Sequence, residues 1–360
     1  MSEQPAAGGR NLVVCLDGTS NEPESGTTNV ARTFQVALKD EGQLAYYDPG
    51  VGTMGSRGAV TSVGLKLSRA AGLVGGFGIK DNIEEAYTWL AQRYRAGDRL
   101  FIFGFSRGAY TARALTGMLR TVGLLRAGAD NLAPYAVKLY AQGGKKDPRE
   151  AEEKAYWKVR RDFNDQFGNP DFPNPFDRST SQVEFLGVWD TVKTVGWLNW
   201  KAQFEQARWP FTRQLSNVAI ARHALAIDER RRPYQEYRFA PDSPAVAQGR
   251  HREMWFAGVH SDVGGQFPDD HRLSDIAFAW MVGEAAEAGL RVDPKAYRRL
   301  LTVDLDEPLP EDHALGALHP AGAMWRLVGS RQRPIQPGDE VHPSVRVRMA
   351  RDTSYRPSLP

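Results

Sequence analysis

From Arg99 to Arg113 the chain reads RLFIFGFSRGAYTAR, and its hydrophobic period changes in the middle. Arg99–Phe105 is a near-continuous apolar run of strand length, as found in sheets covered on both faces. A helical pattern follows over Gly108–Leu124. Between them stands Gly104-Phe105-Ser106-Arg107-Gly108, a G-x-S-x-G motif with a strand before it and a helix after it, the context this motif requires. The requirement is steric. The serine sits on a tight strand-to-helix turn, and side chains two residues to either side would strike the neighbouring strand and helix. Glycine at 104 and 108 lets the Ser106 hydroxyl project. The alternative is a glycine-flanked helix start with Ser106 as its cap.

Three other runs share this grammar. Asn11–Leu16 (NLVVCL) is followed by Asp17, Gln182–Trp189 (QVEFLGVW) by Asp190, and Glu253–Val259 (EMWFAGV) by His260. Helical spacing over Asp81–Arg95 places Ile83, Tyr87, Leu90 and Tyr94 on one face, with Gly97-Asp98 closing it. Leu273–Ala288 reads the same way, with Ser274 as its N-cap. Alternating strands and helices predict an α/β fold with a largely parallel sheet. Chemistry in such sheets gathers at the carboxyl ends of the strands. The expected domain spans residues 10–290, with a helical insertion at about 126–181 over the strand ends and an aromatic-rich segment at 192–211. That segment, with Trp197, Trp200, Phe204, Trp209 and Phe211, reads either as a lid or acyl-chain wall or as packing between insertion and sheet. Gly50–Gly78 reads as a long loop with a short helix, and residues 291–360 as surface wrapping.

A serine hydroxyl becomes a nucleophile when a base takes its proton, and that base needs an orienting carboxylate. Ser106, Asp190 and His260 occur in the chain order usual for this architecture, each after a strand. Asp228 and Asp262 are rivals for the acid, and Asp190 also reads as a helix-capping carboxylate. Of the seven histidines, His223 falls in a helical-looking run (NVAIARHALAI), and His251, His271, His313, His319 and His342 fall in polar or loop stretches. The Arg107 backbone N–H opens the helix and is one expected oxyanion donor. The second is the N–H of Gly18 or Thr19, beside the nucleophile strand, with Asp17 holding that loop rigid. No cofactor is expected, apart from the lesser alternative of a divalent cation shared by Asp17, Asp262 and Asp275.

Other chemistries drop out. Gly75-Gly76-Phe77-Gly78 lacks the third glycine of a dinucleotide fingerprint, and neither a Walker-type loop nor H-E-x-x-H occurs. Cys15, the single cysteine, sits within a strand run and reads as a small buried hydrophobe. The net charge of +3, from 46 basic and 43 acidic side chains, is too small to argue for nucleic acid. No apolar run is long enough to span a bilayer. The first residues, MSEQPAAGGR, lack a basic region followed by an apolar core, so the default expectation is a protein made and kept in the cytoplasm. Export by a route that needs no signal peptide stays compatible with this.

Taken in order, LDGTSN (Leu16–Asn21), GIKDNIEEAY (Gly78–Tyr87), GFSRGAYTAR (Gly104–Arg113), GVWDTV (Gly187–Val192), ALAIDERR (Ala224–Arg231) and WFAGVHSDVGG…LSDIAFAWM (Trp255–Met281) are similar to the α/β-hydrolase catalytic domain of type VI secretion phospholipase effectors. The resemblance implies a Ser-Asp-His carboxylic ester hydrolase acting on acyl esters of phospholipids. Ser106 would be its nucleophile, Asp190 its orienting acid and His260 its base. If the protein is an effector, an immunity or secretion partner follows. The alternatives are a hydrolase of soluble esters, thioesters or polyesters, an amide or peptide hydrolase, and a catalytically silent binding module.

Overall fold

A computed structural model describes residues 9–18, 27–50, 77–143, 149–192, 209–319 and 329–359. Among these residues seven strands form one sheet: β1 (Asn11–Leu16), β2 (Gln43–Asp48), β3 (Arg99–Phe105), β4 (Val183–Trp189), β5 (Val218–Ala226), β6 (His251–Phe256) and β7 (Glu340–Val341). Their order is β2-β1-β3-β4-β5-β6-β7, and every pairing is parallel. The direction of strand addition reverses between β1 and β3. In open parallel sheets that switch point leaves a crevice at the strand ends, and Ser106 stands there.

Helices cover both faces: α1 (Asn29–Val36), α2 (Phe77–Arg93), α3 (Arg107–Val122), α4 (Ala133–Ala141), α5 (Glu150–Phe167), α6 (His260–Gly264), α7 (Arg272–Glu287), α8 (Pro294–Leu301) and α9 (Pro343–Arg351). The strand period of two divides the core. Leu12, Val14, Leu100, Ile102, Leu186 and Val188 face α2 to α5, whereas Val13, Cys15, Phe101, Phe103, Phe105 and Trp189 face α1, α7 and α8. Such continuous apolar strands are what burial on two faces requires. The expected insertion contains α4 and α5, which pack against α2 and α3.

Several expectations are corrected. NVAIARHALAI is a strand, not a helix: β5 lies between β4 and β6, so its side chains are covered on both faces and sheet pairing overrides the helical propensity of its alanines and leucine. The strand β2 was not anticipated because QLAYYD lies at the sheet edge and is only half-buried. The helix α7 begins one residue earlier, with His271 at its N-cap position, and the Ser274 hydroxyl inside it donates to the His271 carbonyl oxygen. The C-terminal region does more than wrap the surface, since it supplies β7 and the buried Arg333. Trp197, Trp200 and Phe204 lie outside the described residues. Trp209 rests against Tyr140 with ring centroids 5.2 Å apart, and Phe211 against Trp157 at 5.8 Å, so this part of the aromatic segment packs onto the insertion.

Burial pushes His223, His251 and His342 each down to about 4. The unfolded chain takes up these protons near pH ~6.5 and the native protein does not. Stability should therefore decline as pH falls from about 6.5 toward 4. His342 caps α9 by accepting the Ser344 N–H. Asparagine preserves a cap acceptor and removes one titrating ring, so His342→Asn should flatten the decline in thermal midpoint measured from pH 7 to 4.

Candidate active site

The turn after β3 is strained as its motif demands. Ser106 has φ 58° and ψ −121°, a region that non-glycine residues rarely occupy. A Cβ on Gly104 would lie 2.5 Å from the Gly108 carbonyl oxygen, and one on Gly108 would lie 2.1 Å from the Leu16 carbonyl oxygen. Both clashes are with backbone, so neither side could yield. The Ser106 N–H donates to the Trp189 carbonyl oxygen at 3.1 Å, which ties the turn to the end of β4. The Ser106 side chain makes no capping bond, contrary to the capping alternative.

Its hydroxyl instead faces His260. Ser106 Oγ lies 2.8 Å from His260 Nε2, and His260 Nδ1 lies 2.5 Å from Asp190 Oδ2. A carboxylate can only accept, so Nδ1 carries the proton and Nε2 is left to accept from the serine. His260 is held by its backbone N–H, which donates to Glu229 Oε2 at 3.2 Å. Its ring sits 4.6 Å from Phe105 and 4.9 Å from Tyr234. Asp190 is fully buried, with a positive φ of 37° at the end of β4. It accepts the Ala226 N–H at 3.1 Å and both terminal nitrogens of Arg333, at 2.5 and 3.0 Å. Burial alone would raise its carboxyl, but the Arg333 charge and the His260 hydrogen bond hold it well below the usual carboxylate range.

The rival carboxylates stand elsewhere. Asp228 accepts the Gly258 N–H and the Tyr355 hydroxyl, and Asp262 accepts the Val259 N–H and bonds His319 Nδ1 at 2.6 Å. Asp17 accepts from the Thr28 and Tyr47 hydroxyls, and Asp275 pairs with Arg32 at 2.5 Å and His271 at 2.8 Å. Of the expected oxyanion donors, Arg107 occupies the first turn of α3, where an N–H has no acceptor within the helix. The Gly18 N–H donates to Asp17 Oδ1 at 2.7 Å, and Thr19 lies outside the described residues.

Sequence reasoning missed two groups here. Arg333 lies in GSRQRPIQPG, a stretch without periodicity or motif, so nothing local marks it. The other is His223, whose Nε2 accepts the Thr191 N–H at 3.1 Å, directly after Asp190. Its Nδ1 meets Glu253 at 2.8 Å, and Glu253 in turn meets Arg238 at 2.7 Å. Once NVAIARHALAI is read as a strand, an inward His223 beside β4 could have been found.

The two kinds of glycine give a direct test. Gly108→Ala should destabilise the fold by about 3 kcal/mol through backbone overlap. Gly283→Ala, in α7 with nothing within 4 Å of its added Cβ, should stabilise it by about 0.8 kcal/mol. Urea titration of the two variants checks both signs.

The model of the family described as "T6SS, Phospholipase effector Tle1-like, catalytic domain" matches residues 10–284. Uncharacterized protein YEL023C of Saccharomyces cerevisiae is 29% identical over 249 residues, which are 66% of this chain and 33% of that protein. An uncharacterized protein from Pseudomonas aeruginosa has a solved structure with a TM-score of 0.43 and 20% identity, over 80% of this chain and 47% of the other. The Tle1 effector bound to the VgrG spike of the type 6 secretion system gives a TM-score of 0.38 and 18% identity, over 73% of this chain and 52% of the other. The chain thus spans a third of its curated relative and about half of each solved chain. With the family match running from before β1 into α7, the chain belongs to the Tle1-like phospholipase effector catalytic-domain family.

Proposed function

We propose that the protein is a carboxylic ester hydrolase that cleaves acyl esters of phospholipids through Ser106, His260 and Asp190. The observation that carries this reading is the unbroken row from Ser106 Oγ through the imidazole to Asp190, with contacts of 2.8 and 2.5 Å. As Ser106 Oγ attacks the ester carbonyl, His260 Nε2 takes the hydroxyl proton, and Asp190 stabilises the resulting imidazolium. The Arg107 N–H, with one from the Gly18–Thr19 loop, receives the oxyanion. Gly18's own N–H would first have to turn from Asp17. Collapse of the tetrahedral species expels the alcohol, which takes the proton from His260. Water activated by the same imidazole then releases the fatty acid and restores the serine.

Family membership supports a phospholipid substrate. Membership of an effector family also supports export with a secretion partner and an immunity protein in the producing cell. No described helix is long and apolar enough to cross a membrane.

Fatty-acid release from phosphatidylcholine/phosphatidylglycerol vesicles should fall by about a thousandfold or more in Ser106→Ala and in His260→Ala, with the fold intact by circular dichroism. Wild-type release in either variant would sink the mechanism. Ser106-dependent turnover of a short-chain nitrophenyl ester without vesicle activity would keep the mechanism and move the substrate to soluble esters.

A further inference from the structure

We infer that Arg333, contributed by the C-terminal segment beyond the matched family domain, is a positioning residue that balances the charge of Asp190 and thereby keeps His260 available as a base. The inference rests on the hydrolase reading above.

The guanidinium is almost wholly buried, with a side-chain exposure of 3%, against 0% for Asp190. Nη1 donates to Asp190 Oδ1 at 2.5 Å and to the Ala226 carbonyl oxygen at 3.0 Å. Nη2 donates to Asp190 Oδ2 at 3.0 Å and to the Tyr234 carbonyl oxygen at 2.5 Å. With the Ala226 N–H on Oδ1 and His260 Nδ1 on Oδ2, each carboxylate oxygen has two donors. The acid cannot rotate, and it is not a lone negative charge. Beside a lone buried carboxylate, an imidazole gains strongly from protonation, and a protonated His260 cannot accept the serine proton. A fixed cation on the far side of the carboxylate reduces that gain. It leaves the Nδ1–H contact, which sets the tautomer, in place.

The segment carrying Arg333 is fastened on both sides. Arg331 N–H donates to the Arg230 carbonyl oxygen at 2.8 Å, and Ser330 bridges Arg231. Downstream, Asp339 takes Arg238 at 2.6 and 2.8 Å and Trp255 Nε1 at 3.2 Å, just before β7 joins β6. Arg238 continues through Glu253 and His223 to the Thr191 N–H. The same segment therefore reaches the Asp190 turn by two routes. The family match ends at residue 284, well before it.

Other charges face this centre. Glu229, paired with Arg231 at 2.7 Å, meets the His260 backbone. Glu236 lies 3.9 Å from Arg333 Nε, and the Tyr234 ring adjoins His260. Arg107 adjoins the serine in the chain, and His223 lies behind Thr191. Arg333 contacts the acid itself with a positive charge, as does His260 once protonated.

The test is the pH dependence of Ser106 labelling by a fluorophosphonate in the full chain, with Ser106→Ala as the control and thermal melts for folding. In Arg333→Gln the acid limb of the labelling rate should move up by about one pH unit, making labelling about tenfold slower on that limb. Arg333→Lys keeps the charge and should hold the limb at the wild-type position while lowering the plateau, because one ammonium cannot reproduce the fork. An unmoved limb in Arg333→Gln, with or without a lower plateau, overturns the inference and leaves the hydrolase reading standing. If Arg333→Gln does not fold, Arg333→Lys decides: a moved limb or a wild-type plateau overturns the inference. A wild type that does not label, or a Ser106→Ala that labels equally, sinks the hydrolase reading and this inference with it.

Discussion

The contact between the first turn of α3 and the end of β1 governs this molecule. Gly108 approaches the Leu16 and Asp17 carbonyls so closely that a single added carbon would overlap them. That approach lets the chain reverse within one residue after β3. It also forces Ser106 into a left-handed conformation and presents the serine at the switch point of the sheet. The strain is local. The parallel pairings on either side of β3, and the Ser106 N–H bond to the end of β4, hold it in place.

From that point the site extends across the sheet. Ser106 follows the end of β3, Asp190 follows the end of β4, and His260 opens the short helix after β6. Beneath them run two chains of charge. One passes from His260 through Asp190 to Arg333, the other from Thr191 through His223 and Glu253 to Arg238 and Asp339. Buried charges are costly unless every one is met. Here each carboxylate in these chains has a cation or a ring N–H against it. Burial raises Glu253, but its bond to His223 and the Arg238 charge bring it down to about 2.

Much of this was legible in the sequence because it follows from short-range rules. Apolar runs of strand length followed directly by Asp17, Ser106, Asp190 and His260 placed four strands within a few residues of their observed limits, the last of them ending at Phe256 rather than Val259. The elbow needed only two glycines and a change of period. Long-range facts were not legible. NVAIARHALAI has the same composition as a buried helix, and only its neighbours β4 and β6 make it a strand. Arg333 meets Asp190 from 143 residues away in sequence, out of a stretch with no pattern of its own. The Gly18 N–H, expected by position to be an oxyanion donor, is turned toward Asp17, the residue read from the sequence as holding that loop.

Cys15 carries a further consequence. It is fully buried in β1, and burial together with the Asp17 charge pushes its thiol far up. A thiol so held stays protonated and shielded from reagents at neutral pH. Because it is the single cysteine in the chain, the native protein is optically and magnetically blank toward maleimide dyes and nitroxides. One cysteine introduced at an exposed position, such as Val159 on α5 at 48% exposure, would be the lone reactive handle. Pairs of such handles make inter-residue distances measurable in solution without first stripping the background.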